Sequence, residues 1–322
     1  MRGLIHHRHA PPASRDPSDG GPSQPAAGGG GRYLASLDLL RLLAITLVTA
    51  QHGLSVTDHF EATRVGPLSM GQLGVALFCA LSGFLAFRDQ RTAGAWLWRR
   101  LTRIYPAYWI VMAASFLLTA ATGKKPFDLF QVLSQMAGTG FFTHGWDLVN
   151  IVSWFVSLIL LCYAVAFVGR ATGRPRTVLV AAAAIAAWLL GGHREVSLSR
   201  HVLAFAGAGL YRLYGGRARR RALFLGLALL LGGGMAIDPQ FLYAAVSLAL
   251  LATALAVPHL TLPYADTLAA YCYEYFLVHG IFLDGARVAL PHHAAATIAV
   301  GVLLSAGASV LLKRATQAVT AR

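Results

Sequence analysis

Residues 34–53 read LASLDLLRLLAITLVTAQHG, and this stretch limits what the chain can fold into more than any other. About 20 apolar residues, each rising about 1.5 Å along a helix, are enough to cross the hydrocarbon core of a bilayer. Yet the stretch carries Asp38, Arg41 and His52. A charge at the bilayer centre costs about 2.5–3.5 kcal/mol on insertion scales, so ionisable groups held there are paired or functional. Asp38 and Arg41 lie three residues apart, share a helix face and can pair. His52 follows roughly 16 Å further along the axis, near the opposite end of the span. Two readings stay open on this stretch alone. Either Asp38–Arg41 is a satisfied buried pair and His52 an interfacial residue, or the three belong to a site.

Composition extends the membrane reading to the whole chain. Of 322 residues, 56% are hydrophobic and 12% charged, whereas a soluble domain carries about 25% charged residues. The expected fold class is therefore all-α, a polytopic membrane helical bundle of about ten transmembrane helices. The apolar runs fall at 34–53, 70–87, 104–121, 150–169, 177–191, 199–214, 221–237, 240–257, 266–288 and 292–312. Between two of them, Trp96 and Trp98 stand among Arg99, Arg100 and Arg103, which suits a helix over 88–103 lying at the headgroups. Pro106 then opens the third span, in the first turn, where proline is tolerated. Residues 129–142 are too few to cross and read as a re-entrant or interfacial helix. Gly207, Gly209, Gly232–Gly234, Gly301 and Gly307 read as close helix-packing positions rather than a phosphate loop.

The ends and the charges complete the outline. Residues 1–31, rich in Pro, Gly, Ser and Ala, read as a disordered cytoplasmic tail; 32–314 form the transmembrane domain and 315–322 a short second tail. His6, His7 and His9 are incidental to that first tail. Cys79, Cys162 and Cys272 all sit in apolar runs, without disulfide or metal spacing, so they read as packing residues and no metal is expected. The net charge of +14 does not call for nucleic acid. Counted on alternate sides of the spans, 20 Lys and Arg fall on one side and 6 on the other. That bias predicts a multi-pass protein of the cell membrane with both termini cytoplasmic. On this reading Arg41 is the only Lys or Arg well inside a span, and His52 faces the extracytoplasmic side.

Four stretches resemble the acyltransferase-3 family of membrane O-acyltransferases. Residues 37–44 through His52 are similar to its LDxLRxLA opening, with ten residues between arginine and histidine. Residues 74–85, GVALFCALSGFL, resemble its GVxLFFxLSGFL stretch, and 99–109, RRLTRIYPAYW, its RRLxRIxPxYW stretch. Residues 272–279, CYEYFLVH, are similar to SYxxYLxH. A weaker fifth stretch, Trp154 to Ser157 with Tyr163, is like WSLSxEExFY, but Ile159 and Leu160 replace the paired carboxylates, whose roles are not carried over. Cys79, Cys272 and Phe276 stand where the family commonly has Phe, Ser and Tyr.

Acyl transfer from a thioester to a hydroxyl needs a base for the hydroxyl proton and a donor for the developing oxyanion. His52 is the candidate base, since an imidazole titrates near neutral pH, and the resemblance implies the same. Arg41 and His279 join it as catalytic candidates. His279 would orient substrate or assist the base; otherwise it is a hydrogen-bonded core histidine. Arg41, Arg99, Arg100 and Arg103, with Tyr105, are the candidate donor-binding residues, because guanidinium forks suit phosphate. The loop arginines also serve orientation alone. Glu274, about 140° around its helix from His279, reads as a structural partner for a group such as Arg41. Ser82 reads as packing before oxyanion donor.

No tightly bound cofactor is expected. The resemblance implies acyl-CoA, acetyl-CoA first, as donor, and a hydroxyl of a carbohydrate or glycan as acceptor, within a setting of membrane lipid. Acylation of a glycosylated secondary metabolite is the second reading. From a different class, a glycan transporter or flippase fits many spans and buried charges equally well. A non-catalytic scaffold leaves the intramembrane His and Arg unexplained.

Overall fold

The apolar runs become helices. The computed structural model describes residues 34–214, 216, 221, 232–234 and 236–320. The tail 1–31 and most of the expected span 221–237 lie outside the described residues. The chain order is α1 (Ala35–Val56), α2 (Met70–Ala86), α3 (Ala93–Thr122), α4 (Leu129–Met136), α5 (Gly140–His144) and α6 (Ser153–Ala171). It continues with α7 (Pro175–Gly191), α8 (Val196–Leu213), α9 (Phe241–Ala256), α10 (Ala265–Ala269), α11 (Cys272–Ala289) and α12 (Ala294–Thr320). A small hairpin, β1 (Arg64–Val65) with β2 (Leu68–Ser69), joins α1 to α2.

This is an all-α membrane protein. Four helices, α1, α3, α6 and α12 through Ala318, are long and apolar enough to cross a bilayer, and α2, α7 and α9 are shorter apolar helices. Their outer faces are apolar too: Leu117 is 72% exposed, Leu303 71% and Leu311 66%. In water such a surface would be a liability; against lipid it is the expected exterior.

Three details differ from the sequence expectation. Residues 88–103 and 104–121 are not an interfacial helix followed by a span, because α3 runs unbroken from Ala93 to Thr122 with Pro106 inside it. Its buried face recurs at Ile104, Ala107, Tyr108, Val111, Met112, Ser115 and Phe116, a helical period that continues straight past the proline. Residues 129–142 form two short helices, α4 and α5, instead of one. The expected span 266–288 is broken at residues 270–271 into α10 and α11. There Lys313 of α12 donates to the carbonyl of Ala270 at 2.6 Å and lies 4.1 Å from the Tyr271 ring centroid, so the break leaves that carbonyl satisfied.

Helix α1 is central: it packs against α2, α9, α10, α11 and α12. Helix α2 adds α6 and α8 as neighbours. Two glycines permit this closeness. A Cβ at Gly74 would strike the backbone oxygen of Ala44 in α1, and one at Gly83 the backbone oxygen of Phe205 in α8. The three cysteines are buried and free, as packing residues should be.

Candidate active site

Two cavities flank the core of α1, one toward each end. The larger, about 140 Å³, lies where α1, α2, α3, α6 and the α10–α11 break converge. Arg41, Arg100 and Arg103 project to it, over walls that include Phe78, Phe155, Tyr163 and Phe276. Each arginine has a local reason for its place. Arg41 is paired with Asp38 one turn earlier on α1. Arg100 rests its guanidinium 5.9 Å from the Trp96 and Tyr163 ring centroids, a stacked arrangement that arginine favours. Arg103 follows Arg100 by three residues on the same face of α3. Of the three, Arg41 alone has a carboxylate within ion-pair distance among the described residues, so the cavity presents unneutralised cationic forks.

The structure does not bring every expected donor-binding residue here. Arg99 is exposed and outside the cavity lining. The Tyr105 hydroxyl donates to the carbonyl of Ala137 at 2.8 Å, tying α3 to the end of α4. Ser82 does line the cavity. Glu274 is not the partner of Arg41, which binds Asp38; its Oε2 is buried without a hydrogen-bond partner among the described residues.

Toward the other end of α1, His52 meets His279 of α11. His279 Nε2 lies 3.0 Å from His52 Nδ1, and the rings stack with centroids 4.7 Å apart. His279 is fully buried, and its Nδ1 lies 2.7 Å from the carbonyl of Phe276. A carbonyl can only accept, so Nδ1 of His279 carries a proton and, in the neutral ring, Nε2 does not. His52 must then donate from Nδ1, which leaves its Nε2 with a lone pair. That nitrogen has no partner among the described residues and is not enclosed. His52 also lines the second cavity, about 30 Å³, together with Gln51, Gln72, Val152, Trp154 and Phe276. One histidine fixes the tautomer of the other and frees it to take a proton.

Residues 34–314 match the acyltransferase-3 family model, described as an acyltransferase domain. The chain belongs to the acyltransferase-3 family. No curated protein and no solved structure matches it. This membrane acyltransferase thus keeps its quoted motifs in space as well as in order. The arginine–histidine stretch of α1, the GVALFCALSGFL stretch of α2, the RRLTRIYPAYW stretch of α3 and the CYEYFLVH stretch of α11 together supply residues to the two cavities.

The acyltransferase also has a polar cluster that the sequence did not single out. Arg200 of α8 is 8% exposed, so Arg41, whose side chain is 34% exposed, is not the most deeply held cation of the bundle. It donates to Gln240 Oε1 at 2.5 Å and Gln72 Oε1 at 2.8 Å, and it lies 5.0 Å from the Tyr243 ring centroid. His201, fully buried, reaches the same Gln72 oxygen at 3.0 Å. The orientation count places Arg200 among the loop charges because it stands at the start of the apolar run 199–214. The available signal was the Arg-His pair followed by an unbroken apolar helix, with glutamines at 51 and 72 in otherwise apolar helices.

Proposed function

We propose that the protein is an integral membrane O-acyltransferase that moves a short acyl group, acetyl first, from acyl-CoA to a hydroxyl of a carbohydrate or glycan. The observation that carries this reading is the His52–His279 pair, which leaves His52 Nε2 as an accessible base at the end of α1 opposite an arginine-lined cavity. Arg41, Arg100 and Arg103 bind the phosphates of CoA; fork-shaped donors suit phosphate oxygens. The acyl end reaches past Phe276, which lines both cavities, toward His52. His52 Nε2 takes the hydroxyl proton as the acceptor oxygen attacks the thioester carbon, and later returns it to the departing thiolate. His279 holds the imidazole in the required tautomer. With both termini in the cytoplasm of the cell membrane, the arginines face the CoA pool and His52 the outer face, where surface glycan is the acceptor.

The test is acyl transfer by the purified full chain in nanodiscs, with radiolabelled acetyl-CoA and surface polysaccharide or glycosylated small molecules as acceptors. Label is expected in the polysaccharide, base-labile as an ester, and absent with His52→Gln. Label only in the small molecules would shift the acceptor to a secreted metabolite. No transfer to either, with vectorial movement of glycan lipid across the nanodisc-matched vesicles, would replace the enzyme by a flippase.

A further inference from the structure

The small cavity beside His52 contains two side-chain amides whose orientation the surrounding donors dictate. Arg200 can only donate, so the Gln72 atom it meets at 2.8 Å is the carbonyl oxygen and not the amide nitrogen. His201 Nε2 lies 3.0 Å from the same oxygen and 3.4 Å from Arg200 Nε, so Arg200 meets both members of the pair. Gln51 is fixed in the same way: its Oε1 accepts from the Gly71 backbone N–H at 2.7 Å and from the Ser69 hydroxyl. In both residues the oxygen is occupied from outside. Among the described residues neither NH₂ group has a hydrogen-bond partner, neither is enclosed, and both side chains line the cavity of His52.

The size of that cavity decides what the amides address. Its volume is about 30 Å³, and about 10–15 Å³ of such space holds one water. A carbonyl group and an attacking oxygen fit there; a sugar ring does not. We infer that Gln72, together with Gln51, donates the N–H groups that hold the donor's carbonyl oxygen as it becomes an oxyanion beside His52. This rests on the acyl-CoA reading above. As the acceptor oxygen bonds to the carbonyl carbon, its proton passes to His52 Nε2 and the carbonyl electron pair moves onto oxygen, where the amides meet it. The oxyanion then collapses, the C–S bond breaks, and the thiolate leaves with the proton from His52. Arg200 is a positioning residue: it touches no reactant and acts by holding the Gln72 amide with its nitrogen turned inward. Preset donors of this kind work because they need no reorganisation as the charge develops.

The experiment measures CoA thiol release from acetyl-CoA by the purified full chain, with acetyl-CoA affinity read separately by calorimetry. Gln72→Glu keeps the shape and replaces the NH₂ by oxygen; Gln72→Leu removes both polar atoms and serves where the glutamate variant fails to fold. Either should lower the maximal rate by about 10²–10³-fold, the usual loss for one oxyanion donor, with affinity within about twofold. Arg200→Met should cost rate in the parent and nothing further in Gln72→Leu, because the two act as one unit. A full rate in Gln72→Glu, or a loss confined to affinity, overturns the inference. If His52→Gln also runs at full rate, the base reading falls with it; if His52→Gln is dead while Gln72→Glu is not, only the oxyanion role falls. A readout without turnover uses the ketone analogue of acetyl-CoA, with CH₂ for sulfur and a carbon-13 carbonyl. Its infrared stretch should move to lower frequency on the parent and not on Gln72→Leu, and equal frequencies on both would exclude the hydrogen bond.

Discussion

The two cavities that meet at Phe276 are built on opposite plans. In the larger one, charge is plentiful and lightly held: Arg100 and Arg103 have no carboxylate at ion-pair distance among the described residues, and the Arg41 side chain is 34% exposed. In the smaller one, formal charge is absent from the lining among the described residues, and the His52, Gln51 and Gln72 side chains are each held on one side by a group behind them. His279 holds His52, the Phe276 carbonyl holds His279, and Arg200 holds Gln72. A cavity of the first kind is suited to capture a polyanion that comes and goes. One of the second kind is suited to stabilise a transient charge, since the cost of arranging its dipoles was met during folding. The division predicts that damage to the first changes substrate affinity and damage to the second changes turnover.

His52→Gln is the hardest test of that division. It should cut kcat by about 10²–10⁴-fold, the range that general-base catalysis supplies, while calorimetry still detects acetyl-CoA binding. Normal turnover per folded molecule would remove the base from the small cavity and leave His279 as the next candidate. Arg103→Ala should act the other way round. Loss of one charge-assisted hydrogen bond, about 1.5–3 kcal/mol, would raise the KM for acetyl-CoA by about 10- to 150-fold with kcat little changed. A fall in kcat instead would mean that the arginine reaches the reacting atoms and the two regions are not separate.

His279→Leu should lower kcat by about 10–100-fold, as loss of an orienting partner typically does. It should add nothing to His52→Gln, because the histidines act as one unit. A purely structural His279 would show its effect in folded yield and thermal stability and would be additive with His52. Smallest of all is Arg99→Ala. An exposed side chain outside the cavity should change the acetyl-CoA KM by no more than about twofold, and a tenfold rise would extend the phosphate-binding surface beyond the cavity rim.

Much of this was legible in the chain itself. Apolar run lengths placed the helices, since a backbone in lipid must satisfy its hydrogen bonds within the segment. The spacing of Asp38 and Arg41 announced their pair, because residues three apart on a helix are neighbours whatever surrounds them. The unbroken course of α3 was not legible. Pro106 and the Trp-Arg cluster before it are ordinary signs of a boundary, and only packing along the buried stripe of Ile104, Tyr108 and Met112 carries the helix through.

The sequence by itself determined the membrane-helical class, the family motifs and the separation of Arg41 from His52 along one helix, because each depends on composition or on local helix geometry. The tertiary structure alone decided which distant groups share a proton or an oxygen. His52 and His279 are 227 residues apart, and Gln72 and Arg200 are 128 apart. No period or motif registers such pairs; the first exists because α1 packs against α11, and the second because a glycine at 83 lets α2 and α8 close to backbone contact. Burial then ranked the cations. Among the described residues Arg200, at the edge of an apolar run, is the cation that the fold encloses, while Arg41, well inside its run, stays open to the larger cavity.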